Sequence, residues 1–312
     1  MKLAWVTGAY GFLGRHVARQ LAANGWRVAG IGHGEWDAAA AQTWGVELWR
    51  NADVDLPNLE AFAASAGRPD LIFHAAGSGS VGFSLQQPLA DFQRTVVTTA
   101  AVLESVRTFA PAASVIYPSS AAVYGTVDQQ AIAETTPAAP ASPYGVHKLM
   151  AEQLCLAAAR HFAVRTTVIR YFSVYGPGLR KQLLWDLANR LTAHPSELCL
   201  NGTGQETRDF LHVDDAARIV VLVAEQGATA PAVINGGTGH AVSVRAVAEL
   251  IARLYGGRTA IRFNGATRPG DPPHYQASIE RLTQLGFTPR RSFEDGVREY
   301  VEWLRQSERC GQ

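Results

Sequence analysis

The chain has 312 residues, 47% of them hydrophobic, so it can bury a large core in one composite domain or two closely joined ones. Its 28 basic and 27 acidic residues give a net charge of +1, which excludes the global field that would recruit nucleic acid or an anionic membrane. Three widely spaced cysteines, no signal peptide and no bilayer-length apolar run predict a cytoplasmic protein without disulfides and without a membrane partner.

Strands and helices alternate through the first half of the chain. Short β-branched runs predict strands at KLAWVTG, RVAGIG, LIFHAAG, SVIYPSS and TTVIRYF. Between them, apolar periodicity predicts helices over residues 12–24, 58–65, 89–109 and 144–162. Because the strands have no polar face, the pattern indicates an α/β fold in which a doubly wound parallel sheet is covered by helices on both sides.

The regular alternation ends near residue 176. Loops rich in Gly and Pro then separate helical patterns over residues 183–192, 213–226, 244–255 and 293–305, and PAVINGG predicts a strand that returns to the sheet. We therefore expect a larger domain at residues 1–175, with 206–237 returning to it. The remaining residues, 176–205 and 238–312, are expected to form a smaller C-terminal α/β lobe that binds substrate.

A glycine-rich loop follows the first strand. The sequence TGAYGFLG places Gly8, Gly11 and Gly14 between that strand and a helix that opens at Phe12 and Leu13. Glycines there allow a tight turn and a close approach of the backbone to a pyrophosphate, while the helix N-terminus attracts the anion. This placement predicts dinucleotide binding and a Rossmann-type sheet.

A second motif brings a phenol and an ammonium group together. SPYGVHK has Tyr144 and Lys148 four residues apart at the start of a helix, so their side chains share one face. The ammonium favours the phenolate form, and we expect it to lower the pKa of Tyr144 from its usual value of about 10. A tyrosine tuned in this way can act as acid and base toward a hydroxyl group.

Together these motifs resemble the extended short-chain dehydrogenase/reductase superfamily, especially its nucleotide-sugar branch, and the matches run almost to the C-terminus. The resemblance rests on the G-x-x-G-x-x-G loop and on SSAAVYG preceding Y-x-x-x-K. It implies NAD or NADP as cofactor and Ser120, Tyr144 and Lys148 as the catalytic set. The cofactor contacts it implies are Gly8, Gly11, Phe12, Leu13, Gly14, Gly32, His33, Asp53, Val54, Ala75, Ala76, Gly77, Tyr144, Lys148 and Tyr171.

The end of the second strand leaves the choice of cofactor open. Members of the family that prefer NAD carry an acidic residue there, whereas this chain has Gly32 and His33. Glu35 and Asp37 are the candidates for a contact with the NAD ribose, and His33 is the candidate for the additional phosphate of NADP. Asp53 matches the family aspartate that contacts the adenine amino group.

Two alanines restrict the reaction. Family members that remove water from the sugar, the 4,6-dehydratases, place acidic residues directly after the catalytic serine or threonine. Here those positions are Ala121 and Ala122, which cannot transfer a proton. The resemblance therefore disfavours dehydration and leaves epimerisation or ketone reduction at a single carbon.

The resemblance also implies a site for a nucleotide-diphospho-sugar. Arg208 and Arg268 match a pair of arginines that bind the diphosphate, because each guanidinium can donate paired hydrogen bonds to its oxygens. Tyr275 falls where bulk limits the sugar pocket, so we expect plain hexoses to be preferred over N-acetylated ones. The complete set of substrate contacts implied is Ser80, Val81, Ser120, Phe172, Ser173, Lys181, Arg208, Arg268, Asp271 and Tyr275.

The sequence is compatible with three functions. The leading hypothesis is epimerisation at carbon 4 of a UDP-hexose, and the alternative is an NADPH-dependent reductase of a 4-keto-6-deoxy nucleotide sugar. A non-catalytic protein that senses NAD(P) is a third class, disfavoured by the intact catalytic set. The family also pairs helices equivalent to residues 89–109 and 144–162 between subunits, which implies a homodimer. The histidines show no metal-ligand spacing, so no metal site is expected.

Overall fold

The computed structural model of the protein describes residues 1–127, 131–193, 196–257, 259–266 and 273–310. Its strands are β1 (Leu3–Thr7), β2 (Arg27–Gly32), β3 (Leu48–Asn51), β4 (Leu71–His74), β5 (Ser114–Ser120), β6 (Arg165–Tyr171), β7 (Ser173–Tyr175), β8 (Glu197–Leu200), β9 (Thr207–His212), β10 (Val233–Gly236), β11 (Ala241–Ser243) and β12 (Ala260–Phe263). Its helices are α1 (Phe12–Ala23), α2 (Ala38–Thr43), α3 (Leu56–Ala66), α4 (Val81–Gln86), α5 (Pro88–Phe92), α6 (Thr98–Phe109), α7 (Pro143–Phe162), α8 (Gln182–Ala193), α9 (Val213–Gln226), α10 (Val244–Tyr255), α11 (Glu280–Gln284) and α12 (Phe293–Cys310).

The central sheet confirms the predicted α/β class. Within the described residues it has seven parallel strands in the order β10-β6-β5-β4-β1-β2-β3. Every residue of β1 and β4 is buried, because helices cover both faces of the sheet. The strand order reverses direction beside β1, and the carboxyl end of that strand is where this architecture binds ligands.

Separate apolar cores occupy the two faces of this sheet. On one face, α1 and α9 pack against the strands through residues such as Leu21 and Ile219. On the other face, Phe62 of α3, Val102 of α6 and Cys155 of α7 form the second core. The strand predicted within PAVINGG is β10, which pairs in parallel with β6 at the edge of the sheet.

A smaller lobe is built on the side of the sheet where its strands end. It contains the three-stranded sheet β11-β9-β7, the pair β12-β8, and the helices α8, α10 and α12. A third apolar core, which includes Leu187, Ile251 and Tyr300, joins these elements. The lobe therefore lies above the glycine loop and forms one wall of a cleft.

One predicted helix has an unexpected irregularity. The pattern over residues 89–109 predicts a single helix, whereas the structure has α5, one π-helical turn at Gln93–Val97, and then α6. The segment before it contains the short helix α4, whose N-cap is Ser80. No helix within the described residues is both long and apolar enough to cross a membrane.

Candidate active site

A cleft of about 770 Å³ lies between the carboxyl ends of the central strands and the smaller lobe. Its floor is the glycine loop, and one wall is the end of β5 with the start of α7. The opposite wall comes from β6, from the loop that precedes α8, and from Arg208 and Tyr275. Among the residues predicted as site residues, those that line the cleft are Gly8, Gly11, Phe12, Leu13, Gly14, Ala75, Gly77, Ser80, Val81, Ser120, Tyr144, Lys148, Tyr171, Phe172, Ser173, Lys181, Arg208 and Tyr275.

The floor of the cleft fits the pyrophosphate of a dinucleotide. Gly8 has φ +68°, and a Cβ there would lie 2.7 Å from the backbone nitrogen of Ala76. Gly11 is the N-cap of α1, and the helix begins with neither a side-chain cap nor an acidic residue in its first turn. A Cβ at Gly14 would lie 2.2 Å from the carbonyl oxygen of Gly8, so the helix packs closely on the loop. The exposed helix N-terminus can therefore accept an anion at the cleft floor.

Residues expected near the adenosine lie outside the cleft lining. His33 Nε2 and Asp53 Oδ1 are 2.7 Å apart, and both side chains are about three-quarters exposed, at 76% and 74%. Gly32 lies against the loop, since a Cβ there would be 3.0 Å from Gly8 N. Asp37 caps α2 by accepting a hydrogen bond from Ala40 N. One of the two carboxylates that were candidates for the ribose contact is therefore already engaged.

The catalytic set predicted from sequence comes together on one wall. Ser120 ends β5, and its hydroxyl hydrogen-bonds the phenol of Tyr144. Lys148 is buried, donates a hydrogen bond to the carbonyl oxygen of Pro118 at 2.8 Å, and lies 5.9 Å from the centroid of the Tyr144 ring. A hydroxyl group brought to this wall meets a hydrogen-bonding serine and an acid/base phenol with a cation behind it.

The electrostatics of this set differ from the expectation. Desolvation in the cleft wall raises the pKa of Tyr144 above its usual value, although the hydrogen bond from Ser120 opposes the shift and the charge of Asp91 adds to it. The structure thus does not show the lowering that we expected from Lys148. Burial lowers the pKa of Lys148 to about 8, against the opposing charges of Asp91 and Glu152. The lysine therefore remains mostly protonated at neutral pH.

The sequence at the start of α7 fixes the position of Tyr144. Ser142 is the N-cap and accepts a hydrogen bond from Gly145 N, while Pro143 occupies the first helical turn. The backbone nitrogen of Tyr144 donates to Ser84 Oγ at 3.0 Å. Ser84 is buried behind the wall and holds this turn in place.

Helix α7 is also tied to the sheet by a buried ion pair. Glu152 of α7 is fully buried and accepts three hydrogen bonds from Arg170 of β6, at 2.7, 3.0 and 3.1 Å. The guanidinium of Arg170 lies 4.8 Å from the ring of Tyr124, and the hydroxyl of Tyr124 donates to Asn235. Helix α7 and the SSAAVYG segment are therefore held by one polar network.

The residues predicted to bind the sugar come from both sides of the cleft. Tyr275 crosses from the smaller lobe to donate a hydrogen bond to the Gly125 carbonyl at 2.7 Å, and its ring lies 6.0 Å from that of Phe172. Lys181 donates to the carbonyl oxygen of Gly79 at 3.1 Å, which joins the lobe to the loop after β4. The hydroxyl of Tyr171 is turned away toward Ala216. Arg268 and Asp271 lie outside the described residues.

Two polar groupings near the cleft were missed by sequence reasoning. Asp91 of α5 is fully buried and pairs with the partly buried His147 of α7, 2.5 Å away. His74 accepts or donates hydrogen bonds with Thr7 at 2.8 Å and Thr99 at 3.1 Å under the cleft floor. Both groupings join residues far apart in the sequence, so no local motif could have identified them. In the described part of the chain, no group of three His, Cys, Asp or Glu residues could hold a metal ion.

The known proteins that this chain resembles include several UDP-sugar 4-epimerases. The model of the NAD dependent epimerase/dehydratase family matches residues 4–237. A UDP-glucose 4-epimerase of Azospirillum brasilense is 30% identical, covering 97% of this chain and 92% of its own length. The UDP-glucose 4-epimerase of Thermotoga maritima, solved with UDP-glucose, has a TM-score of 0.88 at 27% identity and covers 98% of this chain and 99% of its own. A Bacillus cereus UDP-glucuronic acid 4-epimerase, solved with UDP-glucuronic acid and NAD, has a TM-score of 0.86 at 25% identity, with 98% and 99% coverage.

Proposed function

This chain belongs to the NAD-dependent epimerase/dehydratase family, and we propose that it epimerises a UDP-hexose at carbon 4. The main observation that supports this proposal is the grouping of Ser120, Tyr144 and Lys148 on one wall of a cleft whose floor is a glycine loop. The relatives named as UDP-sugar 4-epimerases support the substrate class. The cofactor is a nicotinamide dinucleotide, NAD or NADP, which the glycine loop of the central-sheet domain would bind, while the part of the cleft that faces the smaller lobe would hold the sugar.

In this proposal the side chains of the cleft wall handle the proton of the 4-hydroxyl group. The bound dinucleotide supplies reversible two-electron oxidation of carbon 4. In its phenolate form, Tyr144 takes the proton of the 4-hydroxyl as carbon 4 is oxidised, and the resulting phenol returns that proton when carbon 4 is reduced on its other face. Ser120 donates a hydrogen bond to the reacting oxygen at carbon 4 of the sugar, and the ammonium of Lys148 stabilises the phenolate of Tyr144. Ala121 and Ala122 offer no further acid or base, so water is not removed from the sugar.

A substitution of the proposed acid/base tests this mechanism. Tyr144→Phe should lower the turnover of UDP-glucose by at least about 100-fold, because the phenol proton is lost while the ring is kept. Tyr175→Phe is the matched control, since the Tyr175 hydroxyl donates to the Phe293 carbonyl within the smaller lobe and away from the cleft. Near-normal rates for Tyr144→Phe, measured as conversion of UDP-glucose to UDP-galactose, would overturn the assignment.

A reductase is the second candidate, and the cofactor side of the site favours it. The end of β2 carries Gly32 and His33 in place of an acidic residue, and the nearby Asp37 is engaged as a helix cap. An epimerase should be purified with bound dinucleotide and show no net change in absorbance at saturating sugar. A reductase would instead consume NADPH stoichiometrically with a 4-keto-6-deoxy nucleotide sugar. If the protein binds the dinucleotide but converts no nucleotide sugar, the third hypothesis, a protein that senses NAD(P), would be favoured.

We also propose that the protein is a cytoplasmic homodimer. Several large apolar side chains are exposed along α5, the π-helical turn and α7, including Leu89 at 67% and Phe162 at 61% exposed. Val97 and Met150 extend this surface, whereas Val102 and Val106 are buried in the core. Exposed apolar surface of this extent is typical of an interface. Light scattering during size-exclusion chromatography should give twice the chain mass, and replacing Leu89 and Met150 with Glu should give a monomer; a monomeric parent protein would refute the proposal.

A further inference from the structure

A buried acid lies directly behind the catalytic helix. Asp91 of α5 is fully buried, and its Oδ2 is 2.5 Å from Nδ1 of His147. An ionised carboxylate can only accept hydrogen bonds, so the histidine donates in this pair. The other carboxylate oxygen, Oδ1, is buried without a hydrogen-bond partner in the described structure. The single hydrogen bond therefore leaves much of the carboxylate charge uncompensated.

The pair is placed to act on the catalytic residues without touching the substrate. His147 follows Tyr144 by three residues and directly precedes Lys148 on α7, and the charge of Asp91 acts on both of these residues. Neither Asp91 nor His147 lines the cleft. The ring of His147 is also packed edge-on against Phe92, at 5.6 Å between centroids, which fixes its orientation.

We propose that Asp91 and His147 form a positioning pair that holds Lys148 protonated beside Tyr144. A negative charge behind the helix favours the ammonium form of the lysine. The same charge disfavours the phenolate of Tyr144, which the ammonium of Lys148 favours. The mechanistic consequence rests on the function proposed above, whereas the charge state of Lys148 can be measured without turnover.

Other charged groups near Lys148 must be considered with Asp91. The field of Asp91 raises the pKa of Lys148, as do Glu152 and Cys155 of the same helix, while Lys181 lowers it. The groups that face Lys148 or lie within its field are therefore Asp91, Glu152, Cys155, Lys181, His74, Tyr117 and Tyr144. Glu152 is compensated by Arg170 through three hydrogen bonds, whereas Asp91 has only His147. Asp91 is thus the less compensated of the two acids.

The small number of lysines makes a direct measurement practical. The chain contains only Lys2, Lys148 and Lys181. With carbon-13 at the lysine ε position, NMR of the full chain should give three titrating signals, and Lys148→Met assigns the relevant one. Asp91→Asn removes the charge but keeps the shape of the side chain and an acceptor for His147. It should lower the titration midpoint of Lys148 by about one pH unit, with that of Lys181 unchanged.

Further variants separate charge from structure. His147→Asn, whose amide nitrogen can donate to Asp91 in place of Nδ1, should leave the Lys148 midpoint as in the parent chain. Asp91→Ser removes the charge with a different side chain and should repeat the Asn result. Asp215→Asn is the matched control, because Asp215 is a buried acid paired with Arg218 instead. It should not move the Lys148 midpoint.

The outcomes distinguish this proposal from the proposed function. A Lys148 midpoint that is unchanged or raised in both Asp91 variants would overturn the positioning role. If the midpoint falls as expected, the alkaline limb of the pH profile of kcat/KM should move to lower pH by the same amount. A fixed alkaline limb beside a lowered midpoint would also overturn the role of the pair. Failure of the parent chain to turn over any nucleotide sugar would contradict the function alone, since the NMR titration needs no substrate.

Discussion

The buried ion pair between Glu152 and Arg170 should control the stability of the catalytic wall. Glu152→Ala leaves the guanidinium of Arg170 buried beside the Glu134 carbonyl, at 3.3 Å, and the side chain of Tyr124, without an opposite charge bonded to it. Removal of one partner from a buried pair costs about 3–5 kcal/mol, because the remaining charge stays desolvated. We therefore expect the free energy of unfolding to fall by that amount.

Urea denaturation with linear extrapolation measures this loss. The double variant Glu152→Met with Arg170→Met removes both charges and keeps similar volumes, so it should be at least about 2 kcal/mol more stable than Glu152→Ala. Glu104→Ala is the matched control: its carboxylate also binds Arg107 through two hydrogen bonds, but the two side chains are 40% and 45% exposed. Its stability should be almost unchanged. A single variant as stable as the parent, or a double variant less stable than the single, would refute the reasoning.

Three further predictions concern the cleft and the region beneath it. Gly11→Ala should reduce dinucleotide affinity at least about tenfold, because its φ of −67° suits alanine but the new Cβ would lie 3.0 Å from the carbonyl oxygen of Gly8 and shift the loop at the cleft floor. Calorimetric titration measures the affinity, and an unchanged value would argue against this anion site. Burial lowers the pKa of His74 from 6.5 to about 3, so the unfolded chain binds a proton that the folded chain does not. Stability should therefore fall as pH drops from about 6.5 to 3, by up to roughly 1.4 kcal/mol per pH unit, and His74→Gln but not the exposed His161→Gln should flatten this dependence. Tyr275→Ser should raise kcat/KM for UDP-N-acetylglucosamine relative to that for UDP-glucose, because it opens the wall that the Tyr275–Gly125 hydrogen bond closes. An unchanged ratio of the two values would show that Tyr275 does not determine specificity.

Elements with strong local signals were predictable from the sequence. Helix α9 begins and ends as predicted, since Asp214 and Asp215 in its first turn suit the helix dipole and Gly227 ends it. The glycine loop and the Y-x-x-x-K motif were also readable, because their chemistry depends on fixed spacing. These signals were sufficient for the fold class and for the family.

Features that depend on distant residues were not predictable. The π-helical turn at Gln93–Val97 has no local composition signal, and Asp91 meets His147 only after α5 packs beside α7. The pKa of Tyr144 is raised rather than lowered, because the sequence shows a neighbouring lysine but not the extent of desolvation. The spacing of residues in the sequence identifies the ionisable groups of the site, whereas tertiary packing sets their pKa values.

The edge strand β10 has a consequence for the order in which the protein can fold during its synthesis. Strands β1 to β6 leave the ribosome first, yet β6 pairs on its outer side with Val233–Gly236, which are made only after β7, α8, β8 and β9 of the smaller lobe. Until then, the backbone of Val168–Tyr171 presents an unpaired edge of a nearly complete sheet, which other chains can join. Nascent chains paused before residue 233 should therefore be the form most dependent on chaperones, and the sugar wall at Tyr275 can close only after that edge is covered.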